Sequence, residues 1–171
     1  MLPLNSLILL AGGLLGVLAV DPTIQKESAR RNGYDEAKLA QDVPFQPLGA
    51  NWTTFYSTNA GSYGYPRFQV TRASALDTTF VEIVDLYCVG DSFTAYLQGP
   101  SGLFASLDST EPTTVACSPY TADPDTAWMN PAWARTTLAL PVLGTYNLTV
   151  VMRASPYSAG AMAARSITPS A

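Results

Sequence analysis

Histidine is absent from this chain of 171 residues. That absence removes Ser-His-Asp and Cys-His nucleophile systems, His-ligated zinc or copper sites, and imidazole general bases. Cysteine is scarce: Cys88 and Cys117 stand alone, too few for a thiolate zinc site. Lysine occurs only as Lys26 and Lys38, and charged residues make up 13% of the chain. Globular proteins usually carry about 25%. Surface polarity must therefore come from Ser, Thr, Asn and Gln, a composition that suits an extracellular β-protein. The net charge is −4 and the arginines after Val43 are scattered, so no basic patch exists to attract nucleic acid. No P-loop or G-x-G-x-x-G motif occurs, and no cofactor is expected.

What is present begins with MLPLNSLILLAGGLLGVLAV, a stretch without a charged side chain. Its apolar run is shorter than the roughly 20 residues a membrane-spanning helix needs. Val17-Leu18-Ala19 places small residues where signal peptidase cuts. Residues 1–19 are expected to be a signal peptide, although no Lys or Arg precedes the apolar run. The mature protein is then secreted and extracellular, with no membrane attachment after processing. About 150 residues remain, a length that suits one domain. Residues 20–44 hold both lysines, Arg30-Arg31 and five acidic residues around a helix-breaking Asn32-Gly33. They are expected to form a mobile charged arm, and Arg30-Arg31 offers a dibasic processing site. Residues 45–171 are expected to form the folded domain.

In an oxidising compartment, Cys88 and Cys117 are expected to pair. The loop they close is about 30 residues long, worth roughly 3–4 kcal/mol of chain entropy. Asn51-Trp52-Thr53 and Asn147-Leu148-Thr149 are N-glycosylation sequons.

From Arg67 onward the pattern is β. RFQVTR alternates, and Thr79–Cys88 is apolar on both faces, which predicts a central strand covered on both sides. Val89-Gly90-Asp91 is a turn signal before Ser92–Gln98, so a hairpin is expected there. Leu103–Leu107, Thr113–Cys117, Ala134–Leu140, Tyr146–Arg153 and Ala161–Ile167 read as further strands. Asp123-Pro124-Asp125 starts a short helix, with Asp123 as N-cap, Pro124 at N1 and Asp125 complementing the dipole. Many short strands with regular turn signals predict a mainly β fold, an antiparallel, jelly-roll-like β-sandwich with one short helix.

GANWTTFYSTNAGSYGY, residues 49–65, is aromatic and polar, and is expected to be irregular or a loose edge hairpin. Trp52, Tyr56, Tyr63 and Tyr65, together with Trp128 and Trp133 around Pro131, are candidate glycan contacts, because aromatic faces pack on pyranose rings. The alternative is that these rings seal the ends of a β-core. Among the carboxylates, Glu82 and Asp85 fall on opposite faces of one strand and cannot face one sugar together. Asp85 has apolar neighbours and needs a partner; Arg135 is the first choice and Arg165 the second. Asp123 and Asp125 are a weak Ca²⁺ candidate, better explained by helix capping.

The stretches VDLYCVGDSFTAYLQG and ADPDTAWMNPAWARTTLALPVLGTYNLTVVMRASPYSAGAMAARSI resemble a group of small secreted fungal proteins of unassigned function. They are also similar to β-domains of bacterial extracellular proteins with sorting tails. The likeness spans Phe80 to Ile167 and rests on Asp85, Cys88, Gly90, Asp91 and Phe93, then Asp123, Ala127 and Arg135, and finally Gly144, Tyr157, Gly160 and Arg165. Gly144 is followed by Thr145-Tyr146, where such proteins usually carry Gly-x-His. The resemblance implies secretion and a sandwich fold, and no activity. The expected function is non-catalytic surface contact, with extracellular polysaccharide or another extracellular protein as partner. The alternatives are a small carboxylate-dependent glycan hydrolase and a structural or host-interacting secreted protein.

Overall fold

The computed structural model describes residues 44–58, 65–112, 116–157 and 159–169. The expected signal peptide, nearly all of the charged arm with Arg30-Arg31, and Tyr63 lie outside the described residues. Among the described residues, ten strands and one short α-helix follow one another, with a 3-10 turn at Pro100–Gly102: β1 (Gln46–Pro47), β2 (Thr53–Thr58), β3 (Arg67–Arg72), β4 (Phe80–Val89), β5 (Ser92–Gln98), β6 (Phe104–Asp108), β7 (Ala116–Thr121), α1 (Pro124–Met129), β8 (Arg135–Ala139), β9 (Gly144–Ala154) and β10 (Ala159–Ile167). One sheet has the order β1-β3-β9-β5-β6. The other runs β2-β10-β4-β7, with β8 along Phe80–Val84 of β4. All pairings are antiparallel except β1 with β3. The molecule is thus the expected β-sandwich.

Period-two alternation sorts the side chains into two layers. Val81 and Ile83 of β4 join Phe68, Phe93, Leu97 and Tyr146 between the sheets. Val84, Leu86 and Val89 point the other way, onto Ala127, Trp133 and Ala161. The central strand is therefore covered on both sides, as its doubly apolar pattern predicts. β10 alternates likewise: Met162 and Ala164 enter the main core, and Ala161 and Ala163 face the helical segment. Their small side chains let the fully buried Trp133 lie close to the sheet.

One expectation changes. β4 and β5 do not form a hairpin: β4 pairs with β10, β8 and β7, whereas β5 pairs with β9 and β6. The turn at Val89-Gly90-Asp91 carries the chain from one sheet to the other. Tyr87 (φ 69°) and Gly90 (φ 144°) turn the backbone out of the plane, and a register shift between Cys88 and Val89 breaks the ladder there. A short Gly-Asp turn serves a hairpin and a crossing between stacked sheets equally well; the partner strands decide. β7 overlaps the expected Thr113–Cys117 at Ala116 and Cys117 and continues to Thr121, while residues 113–115 lie outside the described residues. Residues 49–65 contain the edge strand β2, paired along β10. Cys88 and Cys117 are disulfide-bonded, tying β4 to the start of β7.

The β8–β9 connection is held by Tyr146, whose hydroxyl donates to the Val142 carbonyl (2.7 Å) and accepts from the Val142 amide (2.9 Å). Its ring lies so close to Gly99 that an added Cβ would sit 2.5 Å from it. Tyr146→Phe keeps the ring and removes both bonds. It is expected to lower unfolding free energy by about 1–2 kcal/mol in a denaturant titration.

Candidate functional site

The crossing from β4 to β5 also builds a cavity of about 270 Å³ at the end of the sandwich. Its origin is in β10. Across the second sheet, Tyr56, Ala161 and Leu86 lie in one row, and the small Ala161 leaves a gap between larger neighbours. Gly160 extends the gap. Tyr87 should point inward like Asp85 by strand alternation, but its positive φ turns it to the same side as Leu86. For a bulky residue this conformation costs on the order of 1–3 kcal/mol, a strain that clusters at functional sites.

Tyrosines crowd this place. The Tyr56 and Tyr87 hydroxyls are 3.2 Å apart, with ring centroids 6.4 Å apart. That hydrogen bond, and then burial, raises the Tyr87 phenol above its ordinary value, so it stays a neutral hydroxyl. Tyr120 of β7 lies nearly parallel to Tyr87, at 8° and 5.6 Å between centroids. Tyr157, from the β9–β10 turn, lines the cavity. Tyr56 and Tyr120 are more than 60% exposed and Tyr157 is 39% exposed.

Beneath them lie two buried carboxyl groups, Asp85 and Asp91. Only Asp91 lines the cavity. Neither oxygen of Asp85, nor Oδ1 of Asp91, accepts a hydrogen bond from any N–H or hydroxyl within bonding geometry. Burial, and then the charge of Asp91, push Asp85 up to about 8; amides of Leu86, Asp91 and Gly90 pull the other way. Burial raises Asp91 to about 6, opposed by hydrogen bonding from Ser155 and Asp85. A protonated Asp85 becomes a donor to ionised Asp91, so the two acids can lie side by side without an arginine between them. The two titrate as a pair that holds one proton and one negative charge at neutral pH.

Asp85 is therefore not paired with Arg135 or Arg165, and that expectation is corrected. Arg165 stands directly opposite Glu82 in the β10–β4 register, on the face away from Asp85. Its Nε donates to Glu82 Oε2 (2.7 Å) and its Nη1 to Asp125 Oδ1 (3.1 Å). Arg135 Nη1 donates to the Trp128 carbonyl, and its guanidinium lies over the Trp128 ring.

The aromatic candidates separate. Tyr56 belongs to the cavity, whereas Trp133 is 1% exposed and serves the core. Trp52 lies under the Arg165 guanidinium at 4.1 Å, donates from Nε1 to Asp125 Oδ1 (2.8 Å), and packs against Trp128 at 6.0 Å. Trp52 and Trp128 thus clamp α1 to the sheet. Tyr65 is half-buried ahead of β3. Tyr87, Tyr120 and Tyr157 were not among the sequence candidates; the Tyr-x-x-Gly-Ala run 157–161 beside the first cysteine strand was the available signal.

Asp123 caps α1, accepting from the Asp125 amide (3.2 Å) and the Thr126 hydroxyl (2.5 Å). The Thr126 bond, first among the causes, lowers its pKa. Asp125 is taken by Trp52 and Arg165, so the pair offers no shared cation site, and no cluster of three metal-ligating side chains occurs among the described residues. Asn51 is exposed, while Asn147 sits within β9 and accepts from Gln69 Nε2 (3.3 Å). A second hollow, near Thr94, Tyr96 and Asp108, contains Arg153, already bridged to Asp108 and Glu111.

No protein-family model matches this chain, and no curated protein matches it. Among solved structures it is similar to the pre-peptidase C-terminal domain of a collagenase from Bacillus anthracis, with 16% sequence identity and a TM-score of 0.44. The match covers 74% of this chain and 100% of that one.

Two predictions follow from the aspartate pair. Unfolded aspartates lose their protons near pH 4, while the folded pair keeps its protons until about 6 and about 8. In between, the folded state binds more protons, so stability falls as pH rises, by on the order of 1 kcal/mol per pH unit. Denaturant midpoints measured from pH 4 to pH 8 are expected to fall in the parent and to fall much less in Asp85→Asn. A flat or rising parent curve would contradict the buried pair. Separately, a Cβ at Gly160 would lie 1.5 Å from Asp91 Oδ2. Gly160→Ala is expected to lower stability by at least about 1–3 kcal/mol in the same assay.

Proposed function

We propose that this chain is a non-catalytic secreted β-sandwich that binds an extracellular or cell-wall glycan through the tyrosine surface at the β4–β5 crossing. The observation that carries the reading is that the partly exposed Tyr56 and Tyr157 wall a cavity left open by small residues of β10, with the exposed Tyr120 stacked on Tyr87 beside it. A pyranose presents C–H groups from one face, and an aromatic ring presents a negative face to them. Near-parallel Tyr87 and Tyr120 make a platform of this kind. Secretion is supported by the disulfide, since such bonds persist in oxidising compartments. Asn51, exposed next to β2, is the more accessible of the two glycan acceptors in this reading.

A hydrolase reading is less well supported. Glycosidases place two carboxyl groups about 5–10 Å apart on either side of a sugar bond. Asp85 is fully buried and does not line the cavity, so it cannot reach a glycosidic oxygen.

The test is a glycan array run beside polysaccharide pull-downs with the purified protein. Tyr56→Ala and Tyr120→Ala are each expected to weaken retention about tenfold, equivalent to about 1.4 kcal/mol. Leu76→Ala, at a residue 96% exposed away from the cavity, serves as the unchanged control. Retention of no glycan, or retention indifferent to both tyrosines, would overturn the reading in favour of a structural or protein-contacting role.

A further inference from the structure

The geometry points to an ammonium group as what the tyrosine-walled cavity holds, presented by an amino-sugar unit of the bound glycan. The inference deepens the glycan reading and rests on it for the source of the ammonium.

The cavity combines two features that attract a cation. Its rim is made of the rings of Tyr56, Tyr87 and Tyr157, whose faces carry negative quadrupole potential. Its inner end includes Asp91, which is 1% exposed and has one carboxyl oxygen without a hydrogen-bond partner. Buried carboxylates normally have a cation or several N–H donors. Among the described residues the cations are engaged elsewhere. Arg72 donates to carbonyls of the 74–77 turn and of Leu140 and Pro141. Arg153 and Arg165 are in ion pairs, Arg135 lies over Trp128, and Arg67 lies over Phe45. The groups that face Asp91 are Asp85 from β4 and Ser155 from the β9–β10 turn, neither of them cationic.

Size and charge narrow the ligand. About 270 Å³ is below the roughly 300–1,000 Å³ of sites that enclose drug-sized molecules, so one sugar unit or its substituent fits rather than a length of polymer. Because Asp85 keeps its proton at neutral pH, the negative charge of the pair resides on Asp91, beside the cavity. A neutral N-acetyl group would leave that charge unpaired in an apolar wall. A free amine, protonated, would satisfy both the carboxylate and the rings.

The experiment compares a tetramer of β-1,4-linked glucosamine with its fully N-acetylated counterpart, by titration calorimetry at pH 6.5 and fixed salt. Choline and its neutral isostere 3,3-dimethylbutan-1-ol serve as small probes in amide NMR spectra. The expected results are at least tenfold tighter binding of the free-amine tetramer and choline-induced shifts at Leu86, Gly90 and Gly160 absent with the isostere. Asp91→Asn, checked for an intact melting transition, is expected to abolish both preferences. If that variant does not fold, the Tyr56→Leu, Tyr157→Leu double variant is used, and is expected to lose the preference for choline over the isostere.

Equal binding of the two tetramers, still sensitive to Tyr56, overturns the ammonium inference and leaves the glycan reading standing. A charge preference that survives Asp91→Asn, or the double variant where that is used, also overturns it. Binding of choline but of neither tetramer upholds the ammonium cavity and removes the glycan as its source. Binding of none of the four probes overturns both.

Discussion

Everything in this fold is arranged around β4, a strand that must be dry on both faces. One face supplies Val81 and Ile83 to the interior of the sandwich, and the other needs a lid of its own. That lid is the segment from α1 to Trp133. A six-residue helix has little intrinsic stability, so it is pinned from outside. Asp123 caps it, Arg135 holds its Trp128 carbonyl, and Asp125 joins Trp52 to Arg165. Trp52 just ahead of β2, Asp125 of α1 and Arg165 of β10 thus share one polar knot over an apolar lid. An acidic residue in the same strand then has two environments to choose from. Glu82 goes to the lid side and finds Arg165, while Asp85 goes to the interior and finds another acid.

Much of this was legible beforehand, because alternation is a local property. Phe80–Val89 announces a strand covered twice, and RFQVTR and SFTAYLQ coincide with β3 and β5. The Asp-Pro-Asp start of the helix rests on capping chemistry that a few neighbouring residues determine. What the sequence did not reveal is which strand lies beside which. Pairing is a long-range choice, and the Val89-Gly90-Asp91 turn is compatible with two of them. The ion pairs inherited that ambiguity. Once β10 is known to run against β4 with Arg165 opposite Glu82, the partner of Arg165 is settled by register. Without it, Asp85 looked like the acid most in need of an arginine.

The candidate site was harder to read for a related reason. Tyr56, Tyr87, Tyr120 and Tyr157 come from four separated segments, and only Tyr56 lay in the aromatic-rich stretch that drew attention. Tyr87 reaches the others because it departs from strand geometry, and a positive φ at a tyrosine has no sequence signature. Trp133, by contrast, is conspicuous in sequence and entirely buried. Large rings mark buried area first, and their exposure depends on what packs beside them. The small residues Gly160 and Ala161 were the quieter signal, since they decide where a surface is left open.

The pairing of β1 with β3 bears on how this molecule meets copies of itself. An exposed sheet edge offers a row of free N–H and C=O groups to any passing strand. The first sheet closes on that side with Gln46 and Pro47, two residues laid parallel to β3. Proline has no N–H to donate, and so short a strand gives an incoming chain almost no ladder to extend. The edge is blunted at Phe68 and Gln69, where β1 covers β3 and leaves an incoming strand little ladder to extend.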